Sequence, residues 1–157
     1  MEKKANNEDK IMWKVMIVDD EKLICKLVQA LVEWDKLGMQ MAAQAENAIQ
    51  ALDMLQQYRP DILITDIRMP GMDGLELIKN AKKICPELEI IIISGYAHFE
   101  YARNALSLGV GNYLLKPIKQ DELNETLRKI GERLDAKKSA QGMDCLLYTS
   151  PSPRDPK

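Results

Sequence analysis

The sequence predicts an α/β fold, a doubly wound parallel sheet of five strands in (βα)5 order, on three observations. Short apolar runs recur along the chain, segments of 3.6-residue periodicity separate them, and four of the five runs are apolar on both faces. Alternating β and α patterns build βαβ units, and strands covered by helices on each side are apolar throughout. The chain has 157 residues, 46% hydrophobic and 29% charged, which suffices for one domain with a real core and leaves little for a second.

The elements follow in order. KVMIVD over 14–19 is the first strand, and Ile24, Leu27, Val28 and Leu31 form the stripe of the helix after it. The second strand, over 39–45, has a weaker pattern and suits an edge. Asn47 caps the next helix, whose face is Ala48, Leu52 and Leu55. DILITD over 61–66 is the third strand; Asp73 and Glu76 then form a capping box ahead of Leu77, Ile78, Ala81 and Ile84. EIIIIS over 89–94 is the fourth strand, followed by a fourth helix with Phe99, Ala102, Ala105 and Leu106 inward and Gly109 closing it. NYLLK over 112–116 is the fifth strand, and Leu123, Leu127, Ile130 and Leu134 line the fifth helix.

The domain is therefore expected over 13–135, after a flexible N-terminal segment over 1–12. Residues 136–157 read as a tail outside the fold, non-native or disordered, with three prolines in the last seven positions, which neither a helix nor a central strand accepts. The opening residues lack the apolar stretch of a secretory signal, and no apolar run approaches the roughly 20 residues that span a bilayer. A cytoplasmic protein without membrane contact is expected. Cys25, Cys85 and Cys145 are widely spaced without a C-x-x-C pair, which argues against a disulfide framework or a zinc site. A net charge of −2 gives no basic footprint, so the chain by itself is not expected to hold nucleic acid.

In an open parallel sheet, ligands bind beyond the carboxyl ends of the strands. Those ends carry Asp19, Asp20 and Glu21 after strand one, Asp66 after strand three, Ser94 after strand four and Lys116 before Pro117 after strand five. Taken singly, Asp20 could be a helix cap, Asp19 a solvated loop residue, Asp66 a turn former and Ser94 a loop hydroxyl. Their joint occurrence at one sheet edge points to a site. Clustered carboxylates repel and call for a cation; Mg²⁺ takes oxygen ligands and leaves room for phosphate oxygens. Asp66 could then serve as a nucleophile forming an acyl phosphate, with Lys116 and Ser94 binding phosphate oxygens.

VDDE at 18–21, DIRMPGMDG at 66–74, SGY at 94–96 and KP at 116–117 resemble the receiver domain of two-component response regulators. The resemblance covers about residues 13–135 and implies a flavodoxin-like strand order 2-1-3-4-5. It implies Asp66 as phosphoacceptor, Asp20, Asp66 and the Arg68 carbonyl as Mg²⁺ ligands, and Asp19 acting on the metal through water. Ser94 and Tyr113 match the switch pair, and the Lys116–Pro117 bond matches one that is commonly cis. Gly95 would keep the site open to a donor. The implied partners are a sensor histidine kinase and, after phosphorylation, a second copy through the fourth helix, fifth strand and fifth helix. VEWDKLG at 32–38 and the segment over 94–106 resemble receivers joined to AraC-family DNA-binding regions, so transcription control through a further C-terminal domain is expected.

His98 opens the fourth helix and reads as an exposed or capping residue, the phosphohistidine coming from the kinase. Three rivals are weaker. A Mg²⁺-dependent aspartyl phosphohydrolase needs an acid/base two residues after its nucleophile, where this chain has Arg68. A flavin-binding domain needs a glycine- or hydroxyl-rich phosphate cradle in place of Asp19-Asp20-Glu21. A degenerate receiver used only for docking would lack part of the site, and every site residue is present. The domain is thus expected to assist only its own phosphorylation and dephosphorylation, not to act as an enzyme on other substrates.

Overall fold

The computed structural model describes residues 12–67, 74–95 and 112–147. In chain order these hold β1 (Trp13–Val18), α1 (Lys22–Leu31), α2 (Trp34–Leu37), β2 (Met39–Ala45), α3 (Ala48–Tyr58), β3 (Ile62–Asp66), α4 (Gly74–Ile84), β4 (Glu89–Ser94), β5 (Asn112–Leu115) and α5 (Gln120–Leu147). The strands form one five-stranded sheet in the order β2-β1-β3-β4-β5, every pairing parallel. This is the predicted order. The β1–β2 register slips between Val15 and Met16, where Ala42 of edge strand β2 is left without a partner. Such a bulge bends an edge away from stray pairing.

Alternation along the strands divides the core into two layers. Met16, Val18, Leu63, Ile67, Ile90 and Ile92 pack beneath α3 and α4, against Ala51, Leu55, Leu77, Ile78 and Ala81. Val15, Ile17, Ile62, Ile64, Ile91 and Ile93 pack beneath α1 and α5, against Cys25, Val28, Leu123, Leu127 and Ile130. Fully burying such a side chain stabilises by roughly 1.5–3 kcal/mol. Both faces of β3 are buried along its whole length, so Asp66 ends a strand with no solvated side.

Asn47 caps α3 by accepting a bond from the Gln50 N–H at 2.8 Å, and Gln50 Oε1 in turn accepts one from the Glu46 N–H at 2.8 Å. The expected stripe of α1 is rotated: Leu27 is 39% exposed and Cys25 takes its place in the core. The residue that caps α1 is Glu21, without a side-chain cap bond, so Asp20 does not fill that role.

Two further features depart from the sequence pattern. α2 is a single turn whose half-buried Trp34 and Leu37 pack on the second core layer, closed by Gly38 in the left-handed region at φ 69°. α5 runs to Leu147, past the boundary placed at 135. The apolar stripe ends at Leu134, but Ala136, Lys137, Lys138, Ala140 and Gln141 all favour helix. The helix predicted over 99–106 with Gly109, the Asp73 cap, His98 and residues 148–157 lie outside the described residues.

Candidate functional site

β1 and β3 are neighbours in the sheet, so their carboxyl ends bring Asp19 and Asp66 side by side. Asp19, Asp20 and Asp66 each offer a carboxylate oxygen, all within 4.8 Å of one another. Asp19 is 2% and Asp66 7% exposed, while Asp20 faces solvent. Lys116, reaching in from the end of β5, donates to Asp66 Oδ2 at 3.1 Å and lies 3.7 Å from Asp19 Oδ2. The Lys116–Pro117 peptide bond is cis.

The backbone supplies the remaining hydrogen bonds at these carboxylates that the described residues provide. The Ile67 N–H donates to Asp66 Oδ1 at 2.6 Å, and the Glu21 N–H donates to Asp19 Oδ1 at 2.9 Å. At Asp19 the backbone bond favours the ionised form, but burial opposes that form more strongly. Burial pushes the Asp19 carboxyl from 3.8 up to about 6; the charges of Asp66 and Asp20 add to the rise, and the Glu21 bond and Lys116 oppose it. For Lys116, burial acts to lower the pKa, yet the hydrogen bond to Asp66 and the fields of Asp19 and Asp66 leave the ammonium above its usual value. Burial, aided by Asp19, lifts the Cys25 thiol to about 11, so this cysteine packs as a protonated apolar residue.

Ser94 ends β4 fully buried, its hydroxyl donating to the Gly95 carbonyl at 3.2 Å. Tyr113, on the neighbouring strand β5 opposite Ile92, packs partly against the first core layer, and its hydroxyl is buried without a hydrogen-bond partner among the described residues. Asp19, Asp20, Asp66 and Lys116 thus converge in one cleft, and Ser94 closes the strand between Asp66 and Lys116. Arg68 lies outside the described residues. Thr65, which sequence patterning treats as strand filler, also enters the site: its hydroxyl donates to the Asp66 carbonyl at 2.8 Å.

Hard oxygen donors from three carboxylates, two of them buried and partly neutralised by a single lysine, fit a small divalent cation. A carboxylate cluster at the carboxyl edge of a parallel sheet in the order 2-1-3-4-5 is a specific combination. Residues 15–128 match the family model of the response regulator receiver domain. The chain belongs to that family.

The receiver domain is 40% identical over 119 residues to the uncharacterized transcriptional regulatory protein YesN of Bacillus subtilis, covering 76% of this chain and 32% of the relative. It is 32% identical over 131 residues to the transcriptional regulatory protein HptR of Staphylococcus aureus, covering 83% of this chain and 51% of the relative. Among solved structures, the REC domain of AraT, a response regulator from Geobacillus stearothermophilus, matches with a TM-score of 0.78 at 38% identity, over 82% of this chain and 99% of that one. The two component transcriptional regulator AraC from Clostridium phytofermentans matches with a TM-score of 0.70 at 36% identity, over 74% of this chain and 91% of that one. The chain is a receiver domain of a two-component response regulator, not a classical enzyme, and it spans between a third and a little over half of these curated relatives' length. Among the described residues, no helix is long and apolar enough to cross a membrane.

Proposed function

We propose that Asp66 accepts a phosphoryl group from the phosphohistidine of a sensor kinase and that the added charge switches the domain. The observation that carries this is the buried Asp66 carboxylate, held between the Ile67 N–H and Lys116 beside Asp19 and Asp20. An Asp66 oxygen attacks phosphorus in line, the P–N bond breaks, and its electron pair leaves on the donor imidazole. Asp20, Asp66 and the Arg68 carbonyl would hold Mg²⁺, with Asp19 acting through water. When bound, Mg²⁺ neutralises the carboxylates and the phosphoryl oxygens.

Lys116 then exchanges its Asp66 carboxylate partner for a phosphate oxygen, and Ser94 turns its hydroxyl from the Gly95 carbonyl to another. Tyr113, on the neighbouring strand β5, carries the change to the face formed by the helix predicted over 99–106, β5 and α5, where a second copy binds. In the cytoplasm, the parent protein would use this switch to control DNA binding by a C-terminal domain outside this chain. The receiver domain assists its own phosphorylation and dephosphorylation and has no other substrate.

Acetyl phosphate with Mg²⁺ should add one phosphoryl group to the wild-type chain, seen by intact-protein mass spectrometry, and Asp66→Asn should take up none. Equal uptake by that variant would overturn the assignment.

A further inference from the structure

We infer that Thr65 is a positioning residue for Asp66, acting through the peptide group that joins Asp66 to Ile67. The inference rests on the reading of Asp66 as phosphoacceptor and adds to it the device that orients the nucleophile. Thr65 is 1% exposed, on the face of β3 that Leu63 presents to the first core layer. A β-branched shape suits that strand position, and Val or Ile would supply it without burying a hydroxyl. The hydroxyl therefore needs its own explanation.

That hydroxyl donates to the Asp66 carbonyl at 2.8 Å. The carbonyl and the Ile67 N–H belong to one planar peptide group and point in opposite directions. Pinning the oxygen at one end sets the direction of the N–H at the other, and that N–H donates to Asp66 Oδ1 at 2.6 Å. With Oδ1 anchored, Oδ2 faces Lys116 Nζ at 3.1 Å. Thr65 thereby reaches the carboxylate without touching it.

This peptide group sits where it needs an extra anchor. The β1–β3 ladder ends at Val18 opposite Thr65, while β3 remains paired with β4 through Asp66 opposite Ile93. Beyond Thr65 the ladder to β1 has ended and the ladder to β4 continues. The Thr65 hydroxyl adds a side-chain hydrogen bond at that point, on the peptide whose tilt aims the Asp66 carboxylate.

The test compares Thr65→Val, which keeps the shape and loses the hydroxyl, with Thr65→Ser, which keeps the hydroxyl. The readout is the rate of phosphoryl uptake from acetyl phosphate with Mg²⁺, alongside urea unfolding of each variant. Misaiming a reacting group is costly, so Thr65→Val should be slowed about tenfold and Thr65→Ser should stay within about twofold of wild type. Uptake by Thr65→Val at the wild-type rate overturns the inference. Equal slowing in both variants also overturns it, because the loss then follows packing and not the hydroxyl. Should Thr65→Val unfold, Thr65→Ala replaces it with the same two outcomes. If the wild-type chain itself takes up no phosphoryl group, it is the reading of Asp66 that fails, and the inference falls with it.

Discussion

Asp19 sits where burial opposes its charge. Its carboxyl is raised from 3.8 to about 6, by burial first and by Asp66 and Asp20 next. Between those two pH values the folded state keeps a proton that the unfolded state has lost, so this group's contribution falls as pH rises through the interval. Below the interval no penalty applies; above about 6 the penalty is constant, on the order of 3 kcal/mol. Asp19→Asn should therefore gain stability over the wild type as pH climbs from about 4 to about 6, and the gain should then level off. Urea unfolding across that range without divalent ions measures it. Repeating the series in excess Mg²⁺ should shrink the difference, because a cation bound to the cluster favours the ionised carboxylate. A difference independent of pH would show that Asp19 ionises freely in the fold.

At the scale of elements, the polar contacts of α5 differ in weight according to whether they reach another element. Asn124 donates to the Leu31 carbonyl at 2.8 Å and accepts from the Glu33 N–H at 2.8 Å, joining the two backbone groups that α1 leaves open as it ends. Gln120 adds a donor to the same carbonyl at 3.2 Å. Arg128 pairs only within α5, with Glu125 and Glu132, among the described residues, and all three side chains are about half exposed. Exposed pairs contribute little, whereas an abandoned backbone group costs more. Asn124→Ala should destabilise by about 1–2 kcal/mol, and Arg128→Ala should unfold close to the wild-type midpoint in chemical denaturation. The corner that Asn124 braces was not legible as structure, because VEWDKLG holds one helical turn and periodicity needs several to register. The passage of α5 beyond Leu134 was hidden for the opposite reason: its stripe ends while its propensity for helix continues. Thr65 escaped notice because a β-branched residue in an apolar run carries no mark of the hydrogen bond its hydroxyl makes.

For the molecule as a whole, the apolar runs were enough to place the strands, since a strand buried on both faces has no polar residue to blur its limits. The edge strand β2, with its mixed pattern and bulge, shows why a one-sided strand reads less clearly. The same logic made the acidic and basic residues legible as a site: each interrupts an apolar run at the sheet edge where the topology collects them. The sequence places Lys116 near Asp66 but leaves open that its ammonium also reaches Asp19. The Lys116–Asp66 bridge joins β5 to β3 across β4, so it is a direct link from Asp66, the proposed phosphoacceptor, to the strand carrying Tyr113. Replacing Lys116 with Ala leaves the Asp66 nucleophile in place but removes the cation that would follow the new phosphate. Lys116→Ala should accordingly still take up phosphoryl groups from acetyl phosphate, more slowly, while losing both the rearrangement around Tyr113 and the phosphate-dependent dimer. Tyrosine fluorescence and sedimentation velocity, each with and without beryllofluoride and Mg²⁺, separate the two effects. A dimer forming in that variant as in the wild type would place the coupling elsewhere, on Ser94 and the segment that follows it.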